Sequence, residues 1–182
     1  ILLDWVSGWG QTPRGRIYRI TPTAALEATE VEIVRQVKEL LGKGLDGQQD
    51  SALIGLLGHA DRRIRLAAQW ELARREKPAL EGLGQVALDG SNRLSRLHAV
   101  WAIGQILRAG GPVRIPSNAE RVVTSLLVLL EDPDRRLAAE SAAALAEAGI
   151  SEGWPALKRL LADPDPVVRR RTGEAIARMP LG

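Results

Sequence analysis

Residues 125–146 read SLLVLLEDPDRRLAAESAAALA, and residues 156–177 read ALKRLLADPDPVVRRRTGEAIA. Laid over each other they share a short apolar run, an Asp-Pro-Asp turn and an alanine-rich second run. Two earlier stretches fit the same frame: ALIGLLGHADRRIRLAAQWELA from Ala52, and GLGQVALDGSNRLSRLHAVWAIG from Gly82. One column runs Ile64, Ser95, Leu137, Val168, and a later one Leu72, Ile103, Leu145, Ile176, both with spacings of 31, 42 and 31. Self-similarity at this period is the signature of a helical repeat, because a unit this short cannot bury its apolar face without a neighbour. Each unit contains two helical patterns. Leu126, Leu129, Leu130 and Leu157, Leu160, Leu161 mark the first helix. The turns are His59-Ala60-Asp61, Gly90-Ser91-Asn92, Asp132-Pro133-Asp134 and Asp163-Pro164-Asp165. Each ends in Asp or Asn, whose side-chain oxygen can accept from an unpaired amide of the next helix. Pro133 and Pro164 stop the first helix from running through. Ala139, Ala142, Ala143, Ala144 and Ala146 make the second helix narrow enough for close neighbours.

This pattern resembles the HEAT-repeat family, in the short Asp-Pro variety called HEAT-like or PBS-lyase-like, over roughly residues 50 to 179. The expected fold is therefore all-α: a right-handed α-solenoid of about four repeats. The resemblance implies a ladder in which the residue after the apolar column bonds to the turn acid of an adjacent unit. That column is Arg65, Arg96, Ala138, Arg169, so repeat three should lack the bond. Asp61, Asn92, Asp134 and Asp165 supply the turn positions. Ser95 departs from the apolar column in repeat two.

The 42-residue spacing comes from an insert around residues 108–116, rich in Gly and Pro, which breaks the helical pattern. Ser117 then opens a capping-box spacing, Ser-Asn-Ala-Glu, that restarts a helix. Ahead of the repeats, Thr29-Glu30-Val31-Glu32 has the same spacing. Ile33, Val34, Val37, Leu40 and Leu41 follow on one helical face, and Gly42 and Gly44 end it. Residues 23–49 are expected to form a helix capping the first of the repeats, which occupy 50–182.

Composition narrows the function. The 182-residue chain holds 45% hydrophobic and 26% charged residues, with no Phe, one Tyr and one Met. Its core has to come from Leu, Ala, Val and Ile. No run is long and apolar enough to span a bilayer, and no signal-peptide pattern is present. Having no cysteine, the chain forms neither disulfides nor thiolate metal sites. The pI is about 9.8, yet the net charge is only +3, and 21 of the 25 basic residues are Arg. An Arg-rich solvated surface accounts for this.

Catalytic, cofactor and metal sites are all read as none. His59 and His98 occupy different columns and share no recurring acidic partner. No carboxylate pair, phosphate loop or nucleophile motif stands out. Candidates for partner binding are Trp70 and Trp101, which share a column and could stack along one face, and Arg62, Arg63, Arg170 and Arg171. Trp154, at the start of a first helix, reads as local packing.

Residues 1–22, ILLDWVSGWGQTPRGRIYRITP, differ in kind from the rest. Two β-prone runs flank a Gly/Pro segment, which reads as a β-hairpin. An isolated hairpin is marginal in water. It should pack on the first helices through Trp5, Trp9 and Tyr18, or form a dimer by pairing its edge with another copy. Asp4-Trp5-Val6-Ser7-Gly8-Trp9 and Gly15-Arg16-Ile17-Tyr18-Arg19-Ile20 resemble the last blade of sugar-dehydrogenase-like β-propellers in planctomycete-type membrane-bound dehydrogenases. Residues 65–73 and 93–104 are similar to the repeat region of that family, in which propeller, HEAT-like repeats and cytochrome c follow one another. The resemblance implies a fragment of such a protein, located in the cell envelope or periplasm. Its role would be a non-catalytic scaffold holding flanking domains or a partner protein. The alternative is a basic groove for nucleic-acid backbone.

Overall fold

The computed structural model describes residues 2–5, 15–18, 21–109 and 119–178, in two compact units, Ile1–Gln36 and Val37–Gly182. In the first unit, strands β1 (Leu2–Trp5) and β2 (Gly15–Tyr18) pair antiparallel, with Leu2 opposite Tyr18 and Trp5 opposite Gly15. The residues joining them, Trp9 included, and the side chains expected to pack or to pair with another copy, Trp5 and Tyr18, lie outside the described residues.

Helix α1 (Ala28–Lys43) starts before the expected Thr29 cap. Glu30 determines the start: its carboxylate accepts from the Glu27 amide at 3.0 Å, which makes Glu27 the N-cap and Glu30 the third helical residue. The expected box, Thr29 with Glu32, is thus displaced by two residues: Glu30 is the capping acid, and its partner Glu27 contributes a backbone N–H only. Further along, Glu32 accepts from Arg35 at 2.6 and 2.8 Å and from Gln36 at 2.8 Å. The helix ends in the second unit, where Gly44 takes φ +78°, the left-handed conformation that a helix C-terminus commonly uses.

The second unit is wholly helical in its described residues. Its helices are α2 (Asp50–Leu56), α3 (Arg62–Arg75), α4 (Lys77–Asp89), α5 (Arg93–Ala109), α6 (Glu120–Leu129), α7 (Arg135–Glu147), α8 (Trp154–Leu160) and α9 (Pro166–Arg178), with a 3₁₀ turn at Ser151–Gly153. They form four antiparallel pairs, α2/α3, α4/α5, α6/α7 and α8/α9. The second helices pack in sequence, α3 on α5, α5 on α7 and α7 on α9, while α2, α4 and α6 form a second rank. Leu53, Ile64, Leu83, Ile103, Leu126 and Leu145 are fully buried between the ranks. Each such side chain contributes roughly 1.5–3 kcal/mol by leaving water.

Small residues set the spacing within the rank of second helices. A Cβ on Gly104 of α5 would lie 3.2 Å from the Ala144 Cβ of α7. Ser95, the departure from the apolar column, is half-buried. It faces Gly58 so closely that a Cβ there would lie 2.5 Å from the Ser95 Oγ. A leucine at position 95 would have no room.

Between α3 and α4 the chain reverses on one residue. Glu76 holds φ 57° and ψ −115°, a conformation costly for any residue but glycine. Residues 108 and 109 of the expected insert continue α5, and the rest of it, with Ser117, lies outside the described residues. Helix α6 is preceded by Ala119, which caps nothing through its side chain.

Candidate functional site

The four turns use one device. Asp61, Asn92, Asp134 and Asp165 each accept a backbone N–H two residues on, from Arg63, Leu94, Arg136 and Val167, at 2.8–3.1 Å. The first turn residue is also used: Asp132 and Asp163 accept the amides of Asp134 and Asp165 at 2.8 and 2.9 Å. In the first turn His59 takes this place, its Nδ1 accepting from Asp61 at 2.9 Å. His59 is thus a turn residue.

The arginine column differs from the implied ladder. Arg96 fits it, donating to Asp132 of the next turn at 2.5 Å. Arg65 does not, because the corresponding acid position is Gly90. It donates instead to the carbonyls of His59 and Ala60 in its own turn, at 2.7 and 2.8 Å. Arg169 treats Asp163 and Pro164 in the same way, at 2.6 and 2.8 Å. The column therefore serves first to satisfy carbonyls left over at a helix end. Ala138 makes no such bond, yet Asp163 is not left alone. Arg135, three residues earlier, donates to it at 2.9 Å, and Arg93 does the same for Asp134. With the Asp165 amide, Arg135 holds the Asp163 carboxyl below its usual range.

Where α3 meets α5, a buried network centres on an uncharged ring. His98 donates from Nδ1 to Gln69 Oε1 at 2.7 Å and accepts at Nε2 from Arg65 Nε at 3.2 Å. Burial, and then the charges of Arg65 and Arg62, push its pKa from 6.5 down to about 4, so the ring is uncharged at neutral pH. The Trp101 ring meets His98 edge-on, with centroids 4.9 Å apart. Trp70 and Trp101 share a column but do not stack on each other: Trp101 is engaged with His98, while Trp70 stands 63% exposed.

Where α7 meets α9 the chemistry is ionic. The Glu147 side chain, 2% exposed, receives Arg108 from α5 on one oxygen, and Arg171 at 3.0 Å and Arg178 at 3.5 Å on the other. Burial pulls its pKa upward, but the bond and charge of Arg171 and then Arg108 outweigh this, and the carboxyl stays below its usual range. Arg171 also bonds Glu140 at 2.7 Å. Of the arginines considered for a partner, Arg171 is therefore mostly buried between two carboxylates, Arg170 pairs with Glu174, and Arg63 pairs with Asp61 at 2.7 Å. Arg62 has no carboxylate partner among the described residues and touches the site only through its field on His98. The ionic cluster escaped the sequence reading although a signal was present. Glu140 and Arg171, and likewise Glu147 and Arg178, lie 31 residues apart, one repeat spacing.

Two cavities open along the rank of second helices. One, of about 690 Å³, is lined mainly by Leu40, Leu41, Leu45, Ala67, Ala73 and Trp70. The other, of about 340 Å³, is lined by Trp101, Glu140, Glu174, Arg108, Arg171 and Arg178, among others. Gln105 borders both, and its Oε1 is buried with no hydrogen-bond partner. Trp154 lies under Lys158, whose Nζ is 5.3 Å from the ring centre. Among the described residues no cluster of His, Asp or Glu is arranged to hold a metal ion, and no helix is long and apolar enough to cross a membrane. Compared with the models of known protein families and with curated proteins, the chain finds no match.

Proposed function

We propose that the chain is a non-catalytic scaffold, an α-solenoid of about four HEAT-like repeats whose second-helix rank docks protein. The observation that carries this reading is the pairing of an exposed Trp70 with a mainly apolar cavity on the rank of second helices. A large aromatic left in water beside an apolar recess is the usual anchor of a protein interface. The recurring caps at Asp61, Asn92, Asp134 and Asp165, and the helix order α3–α5–α7–α9, support the repeat assignment. The histidines and the buried carboxylates bond within the fold, which suits a scaffold better than an enzyme.

The resemblance of residues 1–20 to a propeller blade suggests the setting. In it the scaffold fixes an envelope oxidoreductase domain relative to an electron-accepting one, and the strand pair is the edge of the preceding sheet. Its second possible use is pairing with another copy. Nucleic-acid backbone binding gains little, because Arg63, Arg170 and Arg171 are each neutralised by a carboxylate.

Titration with random-sequence duplex DNA at low salt should give no saturable binding; a tight, steeply salt-dependent complex would overturn the protein-docking reading. The natural reading frame should encode propeller blades upstream and a Cys-x-x-Cys-His motif downstream. A frame with neither would remove the linking role.

A further inference from the structure

We infer that the two cavities form one recognition site for an extended peptide that carries a bulky apolar side chain followed closely by a carboxylate. The inference rests on the protein-docking reading and deepens it. Three independent features point to this chemistry, and they lie side by side.

The larger cavity accepts the apolar group. Its walls are mainly apolar, with Asp46 and the paired Glu71 and Arg74 also on the lining, and it is edged by Trp70, 63% exposed, and Leu41, 42% exposed. An apolar side chain entering here removes both from water.

The smaller cavity accepts the carboxylate, and the exposures of its charged groups decide the sign. Glu147 is 2% exposed, covered by the arginines that hold it, whereas Arg108 and Arg178 are 43% and 62% exposed. A visiting group therefore meets guanidinium N–H before it meets the central carboxylate. Each guanidinium carries five donors, and these two arginines spend few of them on Glu147. Glu140 is largely covered through its bond with Arg171. Glu174, more open, is tied to Arg170 and is the one acid that opposes the visitor.

Gln105 lines both cavities. Its Oε1 has no donor and is buried; a turn of the amide towards the cavities would let it accept a backbone N–H of a peptide crossing between them. Arg108 follows Gln105 by one helical turn, about 5 Å, a distance covered by two residues of extended chain. The apolar and acidic side chains should thus be two or three residues apart. A nucleic acid would fit neither the mainly apolar cavity nor the carboxylates around the arginines.

The test is selection of displayed random 12-residue peptides on the folded chain, with each enriched peptide then synthesised and titrated. Enrichment of an aromatic or large aliphatic residue with Asp or Glu two or three positions away is expected. Trp70→Ala should weaken binding of such a peptide about tenfold. Arg178→Ala should weaken it several-fold and flatten its salt dependence. Trp70→Ala should melt as the natural chain does. Arg178→Ala also removes the longest of the three contacts to Glu147, at 3.5 Å, so its binding is read well below its own melting point, with circular dichroism confirming the helical fold. Arg108→Gln provides a second probe of the acidic subsite. Enriched peptides that are basic, or that bind both variants as they bind the natural chain, would overturn this site while leaving protein docking intact. No enrichment over an unrelated helical protein would overturn it as well, and the DNA titration would still judge the broader reading separately.

Discussion

The α3–α5 and α7–α9 junctions solve the same packing problem with opposite chemistry. In both, polar side chains from neighbouring second helices meet at the seam between them. At α3–α5 the centre is neutral: His98 hydrogen-bonds between Gln69 and Arg65 and carries an edge-on tryptophan. At α7–α9 the centre is a buried carboxylate, Glu147, held by three arginines. The two share a column: Ala67, His98, Glu140 and Arg171 stand at equivalent positions of the four repeats. One seam is designed around an uncharged ring and the other around charge, so acid should strike them in different pH ranges.

The largest effect comes from breaking the ionic seam. Glu147→Ala leaves three guanidiniums without their shared partner. Arg108 and Arg178 can turn to water, but Arg171, 16% exposed, keeps only Glu140. Removing one member of a buried ion cluster costs about 4 kcal/mol, to be read as a lowered urea midpoint at pH 7. A change under about 1 kcal/mol, the range of a solvent-exposed pair, would mean the cluster is effectively solvated.

Much of this architecture could be read from the sequence, and the parts that could not have a common cause. The four-fold alignment located the turns and the capping residues, because a cap depends on residues adjacent in the chain. It placed Trp70 and Trp101 in one column but could not tell that one ring would engage His98 while the other faced water, which depends on the partner across the seam. The arginine ladder failed in a similar way. Gly90 occupies the place where Arg65 would need an acid, and Arg135 does for Asp163 what Ala138 cannot. Glu147 required pairing columns across repeats rather than reading down one. Glu76 left no trace, since the residue at a forced corner is set by the helices on either side.

The neutral seam is tested by pH. Folding lowers the His98 pKa from 6.5 to about 4. Above pH 6.5 the ring is neutral in folded and unfolded chain alike, and its contribution is complete. As pH falls from 6.5 towards 4, the unfolded chain takes up a proton that the folded one refuses, and stability drops by up to about 3 kcal/mol. Glu147, with its pKa held below the usual carboxylate value, contributes its own loss only at lower pH. Urea unfolding should therefore slope between pH 6.5 and 5 in the natural chain and be flat there in His98→Gln. Equal slopes in both would assign the dependence to another group.

The smallest effect sharpens the comparison within one more column: Ala68, Ala99, Ser141, Thr172. All four are buried, but the first two repeats place a methyl there and the last two a hydroxyl. Thr172 satisfies its hydroxyl by donating to the Val168 carbonyl at 2.8 Å. The Ser141 Oγ, fully buried in α7, has no partner. A buried hydroxyl without a bond costs about 1 kcal/mol or more, and alanine is also the better helix former. Ser141→Ala should accordingly raise stability by about 1 kcal/mol, making the third repeat resemble the first two at this position. Thr172→Ala removes a hydrogen bond together with a methyl group and should lower it. If both substitutions destabilise, Ser141 makes a bond in solution, and the hydroxyl belongs to the ionic seam as a working member.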